Sequence, residues 1–499
     1  MSDAVAELPP EPRLNELLRA IDWRFLLRRS GRPTVAVLSA PDDVSEALAL
    51  AADPAGPEPG AADLAVVGFP TRRRLRAARA ALRPGGDVVC VWRRPRPAGV
   101  HRARAALRRA GFKPASFHWP GPHPYRQAEF WLPLDSPDAI AYMLAQRPPP
   151  SVALKALRAL WLFSARIGAL APMCGIARLP APPGAEPDPD GIERALGEGR
   201  SLLLLTEGTK SRHKVLCFNF ADGPEPAVAV KCSRIAAADR SLEEEARALS
   251  DFAELHPDLD LAPRVRAEGE RVGRRAIAES VIPGRLPDSP LTQADFAALA
   301  PRVTRRLLEL VDSSPQPSSE WSRRLVAEPL ERFERLHGES SAPGTAERAA
   351  ELLSDLPDLP LAWQHGDLAV WNMHVDRSGA IRFFDWTDSD PRTLPGLDLA
   401  YFLATSAFMI DRIEMSEPRA VLESHEPLLD PATPRGAVGA SCVSEYCEGL
   451  DLDPALFALL RLRAWIVKAG VEQDPAAESF ARLVAAEVRH LDRSGTIPR

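Results

Sequence analysis

The sequence predicts an α/β region over residues 1–180 followed by an α+β region over residues 191–499. Three features carry that expectation. Pro180-Ala-Pro-Pro-Gly-Ala-Glu-Pro-Asp-Pro-Asp190 places five prolines in eleven residues, which excludes helix and sheet interior and makes 181–190 a stiff extended linker. Upstream, short β-rich runs alternate with arginine-laced, alanine-rich helical spacing, the pattern of strands joined by crossover helices. Downstream, strand-like runs gather before residue 286 and helical spacing dominates 287–499.

Composition narrows the function classes. The chain has 499 residues and a formal net charge of −6. At ~150 residues per domain that length suggests about three domains. The near-balanced charge gives no electrostatic case for nucleic acid or an anionic membrane. The longest apolar stretch, Ser151–Cys174, is interrupted by Lys155, Arg158 and Arg166. It reads as an amphipathic helix that packs on its own protein, with membrane-surface contact as the alternative, and not as a bilayer span. The six cysteines form no CxxC pair, and Met1–Pro10 is acidic and proline-containing, unlike a signal peptide. A cytoplasmic protein with free thiols is expected. Only six of the 62 Lys and Arg residues are lysine (Lys113, Lys155, Lys210, Lys214, Lys231, Lys468). Each lysine therefore marks a place where this chain's default cation was not used.

In the N-terminal region Thr34–Leu38, Asp63–Gly68 and Asp87–Trp92 read as strands, with helices over Arg72–Leu82 and Val100–Arg109. Leu82-Arg-Pro-Gly-Gly86 and Leu107-Arg-Arg-Ala-Gly-Phe112 close helices, glycine supplying the positive φ. These features resemble the second half of class I S-adenosylmethionine-dependent methyltransferases over residues 30–135, which implies a Rossmann-like fold. The cofactor loop of that family needs glycine after the first strand so that backbone can approach the ligand. Val35-Ala-Val-Leu-Ser-Ala-Pro-Asp-Asp43 stands there instead, with no glycine between Gly31 and Gly56. The expectation is a degenerate α/β domain; a methyl-transferring one is the alternative.

The informative stretch is Gln364-His-Gly-Asp-Leu-Ala-Val-Trp-Asn372. An H-x-D-x-x-x-x-N spacing is that of the kinase catalytic loop, in which Asp accepts the proton of an attacking hydroxyl and Asn holds a metal ion. Met373–Asp376, a turn at Arg377-Ser-Gly379 and Ala380–Trp386 then read as a hairpin. Asn372 precedes its first strand and Asp385 ends its second. The hairpin thus brings together two oxygen ligands suited to Mg²⁺.

Residues 364–402 resemble the signature of the aminoglycoside phosphotransferase / choline kinase family, a branch of the protein-kinase-like fold. The matching pieces are His365-Gly366-Asp367-Leu368, Asn372, Phe384-Asp385-Trp386 and Asp398-Leu399-Ala400. The resemblance implies Asp367 as catalytic base, Asn372 and Asp385 as Mg²⁺ ligands, ATP or another NTP as phosphoryl donor, and bracing roles for His365 and Asp398. It also implies an N-lobe at 191–286 and a helical C-lobe at 287–499. Ala227–Lys231 is then the strand whose lysine contacts the α/β-phosphates. Its partner belongs on a helix opening at the capping box Ser241-Leu-Glu-Glu244. Of three candidates, Glu245 aligns with Leu249 and Phe252 on an inward face, whereas Glu243 and Glu244 face outward.

Leu202–Leu205 and Val215–Phe220 read as a hairpin around Thr206–Lys214, which holds Gly208, Lys210, Ser211 and Lys214. That loop is either a phosphate cover, with Gly208 and Ser211 at the nucleotide, or an exposed polar tip. Ala276–Gly284 resembles the strand joining the lobes, placing Glu279 and Val281 near the adenine. Asp388 and Asp390 are candidates for holding a cationic acceptor. The functional expectation is an ATP-dependent phosphotransferase acting on a hydroxyl of a sugar, amino-sugar or lipid-linked small molecule. The alternatives are a non-catalytic nucleotide-binding module and, third, a methyltransferase.

Overall fold

The computed structural model describes residues 10–94, 98–122, 128–146, 156, 159–160, 163, 173–181, 191–197, 201–206, 214–220, 223–287, 291–354, 356–472 and 474–494. The proline-rich segment 182–190, most of the expected amphipathic helix, and Gly208 and Ser211 lie outside the described residues. The chain forms two compact units, one of residues 1–250 with 263–281 and one of residues 251–262 with 282–499.

The first unit is built on a twelve-stranded sheet, counted among the described residues. Its strands are β1 (Thr34–Val37), β2 (Asp53–Pro54), β3 (Ala62–Val67), β4 (Leu82–Trp92), β5 (Lys113–Pro122), β6 (Ala128–Pro133), β7 (Met173–Arg178), β8 (Ser201–Leu205), β9 (Val215–Phe220), β10 (Val228–Cys232), β11 (Val265–Arg271) and β12 (Arg274–Glu279). Their spatial order is β11-β12-β10-β9-β8-β6-β5-β7-β4-β3-β1-β2. The parallel pairing expected from alternating strands and helices covers β2-β1-β3-β4. Helices Asp42–Ala51 and Arg72–Ala81 make the crossovers. All six residues of β3 are buried, as in parallel strands covered on both faces. From β4 outward every pair is antiparallel, with β7 inserted between β4 and β5.

β6 pairs with β8 through Phe130↔Leu205 and Trp131↔Leu204. The strands before and after the proline-rich segment are therefore one sheet, although composition divides them. Side chains alternate along each strand, and two apolar clusters follow. One joins Val66 and Val89 to Val230 and Ala278. The other joins Ala65 and Val88 to Phe218 and Ala229. A buried ion network adds a polar lock. Asp22 lies 3.0 Å from Arg234 Nη2 and 3.3 Å from Arg24 Nη1, and Arg234 also donates to Asn15 Oδ1 and the Thr206 carbonyl.

The second unit is mainly helical. Helix Gln293–Leu308 opens on a reciprocal capping box between Thr292 and Asp295, which satisfies two orphan N–H donors. Helix Leu397–Asp411 is buried from Leu397 to Phe408, and its stretch 400–409 carries no charged residue. Helices Leu456–Ala469 and Ala477–Ser494 lie in the region of expected helical spacing. Two small sheets complete the unit: β13 (Val311–Gln316), β14 (Leu359–Gln364) and β17 (Asp390–Thr393) form one, β15 (Met373–Val375) and β16 (Ile381–Phe383) the other. Among the described residues no helix is long and apolar enough to cross a membrane.

Candidate active site

β14 delivers the chain to His365, and the loop that follows is held by buried hydrogen bonds. The carboxylate of Asp398 accepts from the backbone N–H groups of His365 (2.5 Å) and Gly366 (2.9 Å). Asp398 N donates to Gln364 Oε1 at 2.9 Å. Gly366 lies at φ +83°, and a Cβ there would meet the Asp388 carbonyl oxygen at 2.1 Å, so only glycine fits the turn. His365 is wholly buried. Its Nδ1 accepts from Asp367 N (3.3 Å) and its Nε2 donates to the Phe384 carbonyl (2.9 Å). One imidazole thus ties the Asp367 loop to the segment carrying Asp385.

Asp367 is gripped on both oxygens. Asn372 Nδ2 donates to Oδ2 at 3.0 Å and to the Asp367 carbonyl at 2.8 Å. Lys468 Nζ lies 3.0 Å from Oδ1. The hairpin forms in the register Met373↔Phe383, His374↔Arg382, Val375↔Ile381, and Phe384 N donates to the Asn372 carbonyl at 3.0 Å. Asn372 and Asp385 are therefore on neighbouring backbone. β16 stops at Phe383, so Asp385 is not a strand residue as expected. It takes a left-handed conformation (φ +66°) that caps the turn Trp386–Asp388, an uncommon geometry for a non-glycine residue, and accepts from Thr387 Oγ1 at 2.9 Å.

Burial pushes the Asp388 carboxyl up; Lys468 opposes this, and Asp367 and Asp385 add to it. Burial likewise holds the Tyr401 hydroxyl well above its ordinary value, reinforced by the nearby Asp367 carboxylate; that hydroxyl donates to Met415 Sδ at 3.9 Å. Asp390 is committed to Arg324 at 2.8 Å.

In the first unit, Lys231 Nζ lies 2.5 Å from Glu245 Oε1 and 3.1 Å from Glu279 Oε1. Glu245 Oε2 also takes Lys214 Nζ at 2.6 Å. The helix carrying Glu245 runs Asp239–Leu255, opening two residues before the expected Ser241. Glu245 is fully buried, while Glu243 and Glu244 face Arg275 and Arg240 near the surface. Glu279, expected near the adenine, turns its carboxylate to Lys231. Burial pushes it up to about 7; Lys231 lowers it and Glu245 raises it. Val281 packs against an apolar cluster of the sheet.

Residues 217–430 match the model of the phosphotransferase enzyme family, APH. The match supports a kinase-like fold for that stretch. No curated protein matches the chain. Among solved structures, it is similar to the aminoglycoside phosphotransferase APH(3'')-Id of Streptomyces rimosus, with 17% identity, 53% of this chain and 92% of that one covered, and TM-score 0.33. It is also similar to the choline kinase LicA of Streptococcus pneumoniae, with 15% identity, 57% and 92% covered, and TM-score 0.32. A third is the GDP complex of aminoglycoside 2'-phosphotransferase-IIIa, with 12% identity, 57% and 91% covered, and TM-score 0.32.

Within the APH-matching stretch and beside it, the structure gathers the expected residues into two sets: Lys231, Glu245 and Glu279 in one unit, Asp367, Asn372 and Asp385 in the other. Two residues around Asp367 had no expected role. Tyr401 lies in the buried helix Leu397–Asp411. Lys468 carried a signal that went unused, since lysine scarcity singles it out as it does Lys231. Among the described residues no three His, Cys, Asp or Glu side chains cluster as a metal site. An amide–carboxylate pair nevertheless fits Mg²⁺, which takes hard oxygen ligands, keeps several waters and needs few protein groups. With the Asn372 amide nitrogen spent on Asp367, its carbonyl oxygen is the end left for a cation.

Proposed function

We propose that this protein is an ATP-dependent phosphotransferase that moves the γ-phosphoryl group onto a hydroxyl of a small molecule. The observation that carries the reading is the state of Asp367. It is a carboxylate fixed on both oxygens, on a loop pinned by Asp398, beside a hairpin that sets Asn372 next to Asp385. Lys231, held by Glu245, would present an ammonium to the α/β-phosphates. Asn372 and Asp385 would hold Mg²⁺, whose charge neutralises the phosphate oxygens. Asp367 orients the acceptor hydroxyl and takes its proton as the acceptor oxygen bonds to the γ-phosphorus. The bond from that phosphorus to the β–γ bridging oxygen breaks, and ADP leaves. Rate then comes from positioning and electrostatics. The acceptor class, a sugar, amino-sugar or lipid-linked hydroxyl, belongs to this proposal.

Asp367→Asn tests it, because the amide keeps the shape and cannot take the proton. Mg·ATP should stabilise wild type and variant equally in a thermal-shift assay, while slow ATP hydrolysis should fall to a small residual rate in the variant. Wild-type hydrolysis in Asp367→Asn would remove Asp367 as base. Binding without hydrolysis in the wild type would favour a non-catalytic nucleotide module.

A further inference from the structure

We propose that Lys468 is the positioning residue for Asp367, an inference that rests on the phosphotransferase reading. Lys468 sits in the last turn of helix Leu456–Ala469, where the helix dipole favours a cation. It is a buried ammonium, 7% exposed. Its Nζ lies 3.0 Å from Asp367 Oδ1, 3.1 Å from the Gly366 carbonyl oxygen and 4.1 Å from the Tyr401 ring centroid. An ammonium has three donors and no acceptor. A carboxylate, a carbonyl and a π-face account for all three, so none is left for a phosphate.

The arrangement does two things to Asp367. Lys468 on Oδ1 and Asn372 on Oδ2 fix both side-chain torsions. The Asp367 side chain still keeps 30% of its surface open, which leaves an approach for an acceptor hydroxyl. The cation is also the unusual one for this chain. An arginine fork spans two parallel acceptors in one plane. Here the acceptors are a carboxylate, a carbonyl and a ring face in different directions, which a point charge on a flexible stem satisfies.

The test is steady-state Mg·ATP hydrolysis by the full chain, water serving as acceptor, with wild type, Lys468→Met and Lys468→Arg. Folding is checked by circular dichroism and thermal melting. Misplacing a reacting group by about 1 Å costs on the order of 10²-fold in rate. Both variants should therefore lose about that much kcat while KM for Mg·ATP stays within about twofold. In an Asp367→Asn background, Lys468→Met should change the residual rate little, since the two act as a unit. A rise in KM with kcat kept makes Lys468 a phosphate ligand and overturns the proposal. So does wild-type kcat in both variants, or loss of the folded state in both, which makes Lys468 structural. A wild-type chain without Asp367-dependent hydrolysis removes the phosphotransferase reading first, and this role with it.

Discussion

Replacing Gly366 by alanine probes how tightly the Asp367 loop is set against the Asp385 segment. Two effects add. The residue sits at φ +83°, where an L side chain costs roughly 1–2 kcal/mol. The new Cβ would also lie 2.1 Å from the Asp388 carbonyl oxygen, whereas ordinary contact begins at 3.4 Å. The carbonyl must retreat by about 1.3 Å, and such overpacking costs ~1–3 kcal/mol. The loop has little freedom to yield, because Gly366 N is bonded to Asp398 and its carbonyl to Lys468. The Trp386–Asp388 turn moves instead, and with it Asp385, which caps that turn. Gly366→Ala should lose about 2–5 kcal/mol of stability and on the order of 10²-fold in kcat for Mg·ATP hydrolysis. Gly344→Ala is the control. It has φ +80° and nothing within 4 Å, so it should show the conformational cost alone and an unchanged kcat. Urea unfolding and steady-state hydrolysis measure the two quantities. Wild-type turnover in Gly366→Ala, or an equal loss in Gly344→Ala, would refute the reasoning.

Glu487 offers a pH-dependent prediction. Burial alone would raise its carboxyl, but Arg461, with two contacts of 2.9 Å, and His425 outweigh that and hold it at about 2. A depressed acid contributes stability above its unfolded value and loses it as pH falls toward the folded one. From 4.5 to about 2 that is roughly 3 kcal/mol at pH 7. The wild-type advantage over Glu487→Gln should shrink to about half that by pH 3, read from urea midpoints; a gap constant with pH would contradict it. Asp22→Leu leaves the Arg24 and Arg234 guanidinium groups buried without their carboxylate and should cost about 3–5 kcal/mol. The same titration checks it, and a change under 1 kcal/mol would show that the network adds nothing net.

Local geometry was legible in the sequence where residue type and spacing act over a few positions. His365, Asp367, Asn372 and Asp385 could be gathered from a loop spacing and one hairpin, and Glu245 from the face of a helix. What escaped depends on distant pairing. β6 meets β8 through apolar side chains that announce a buried strand but not its neighbour. A proline-rich stretch argues for separation even where strands on both sides share a sheet. The Asp22–Arg234 pair spans 212 positions, and no periodicity connects them. Asp385 was misplaced by two residues of geometry: the alternation rule carried β16 past Phe383, and a left-handed residue is invisible to a period-two pattern.

The division of labour among cations follows from hydrogen-bond geometry. Buried arginines serve several acceptors at once and join elements of the fold. Arg234 links Asp22, Asn15 and Thr206. Arg271 links the Phe25 carbonyl to Glu193, and Arg463 links the Leu325 carbonyl to Thr393. A planar fork with five donors is suited to such cross-links. Three of the chain's six lysines instead hold carboxylates: Lys214 and Lys231 take Glu245 and Glu279 in the first unit, and Lys468 takes Asp367 in the second. A flexible point charge can hold a carboxylate by one oxygen and leave the other atoms their own partners, as Glu245 does in taking a different lysine on each oxygen. At each of these carboxylates a point charge fits where a planar fork does not. It also means that Lys231→Arg and Lys468→Arg are not conservative changes here, despite keeping the charge.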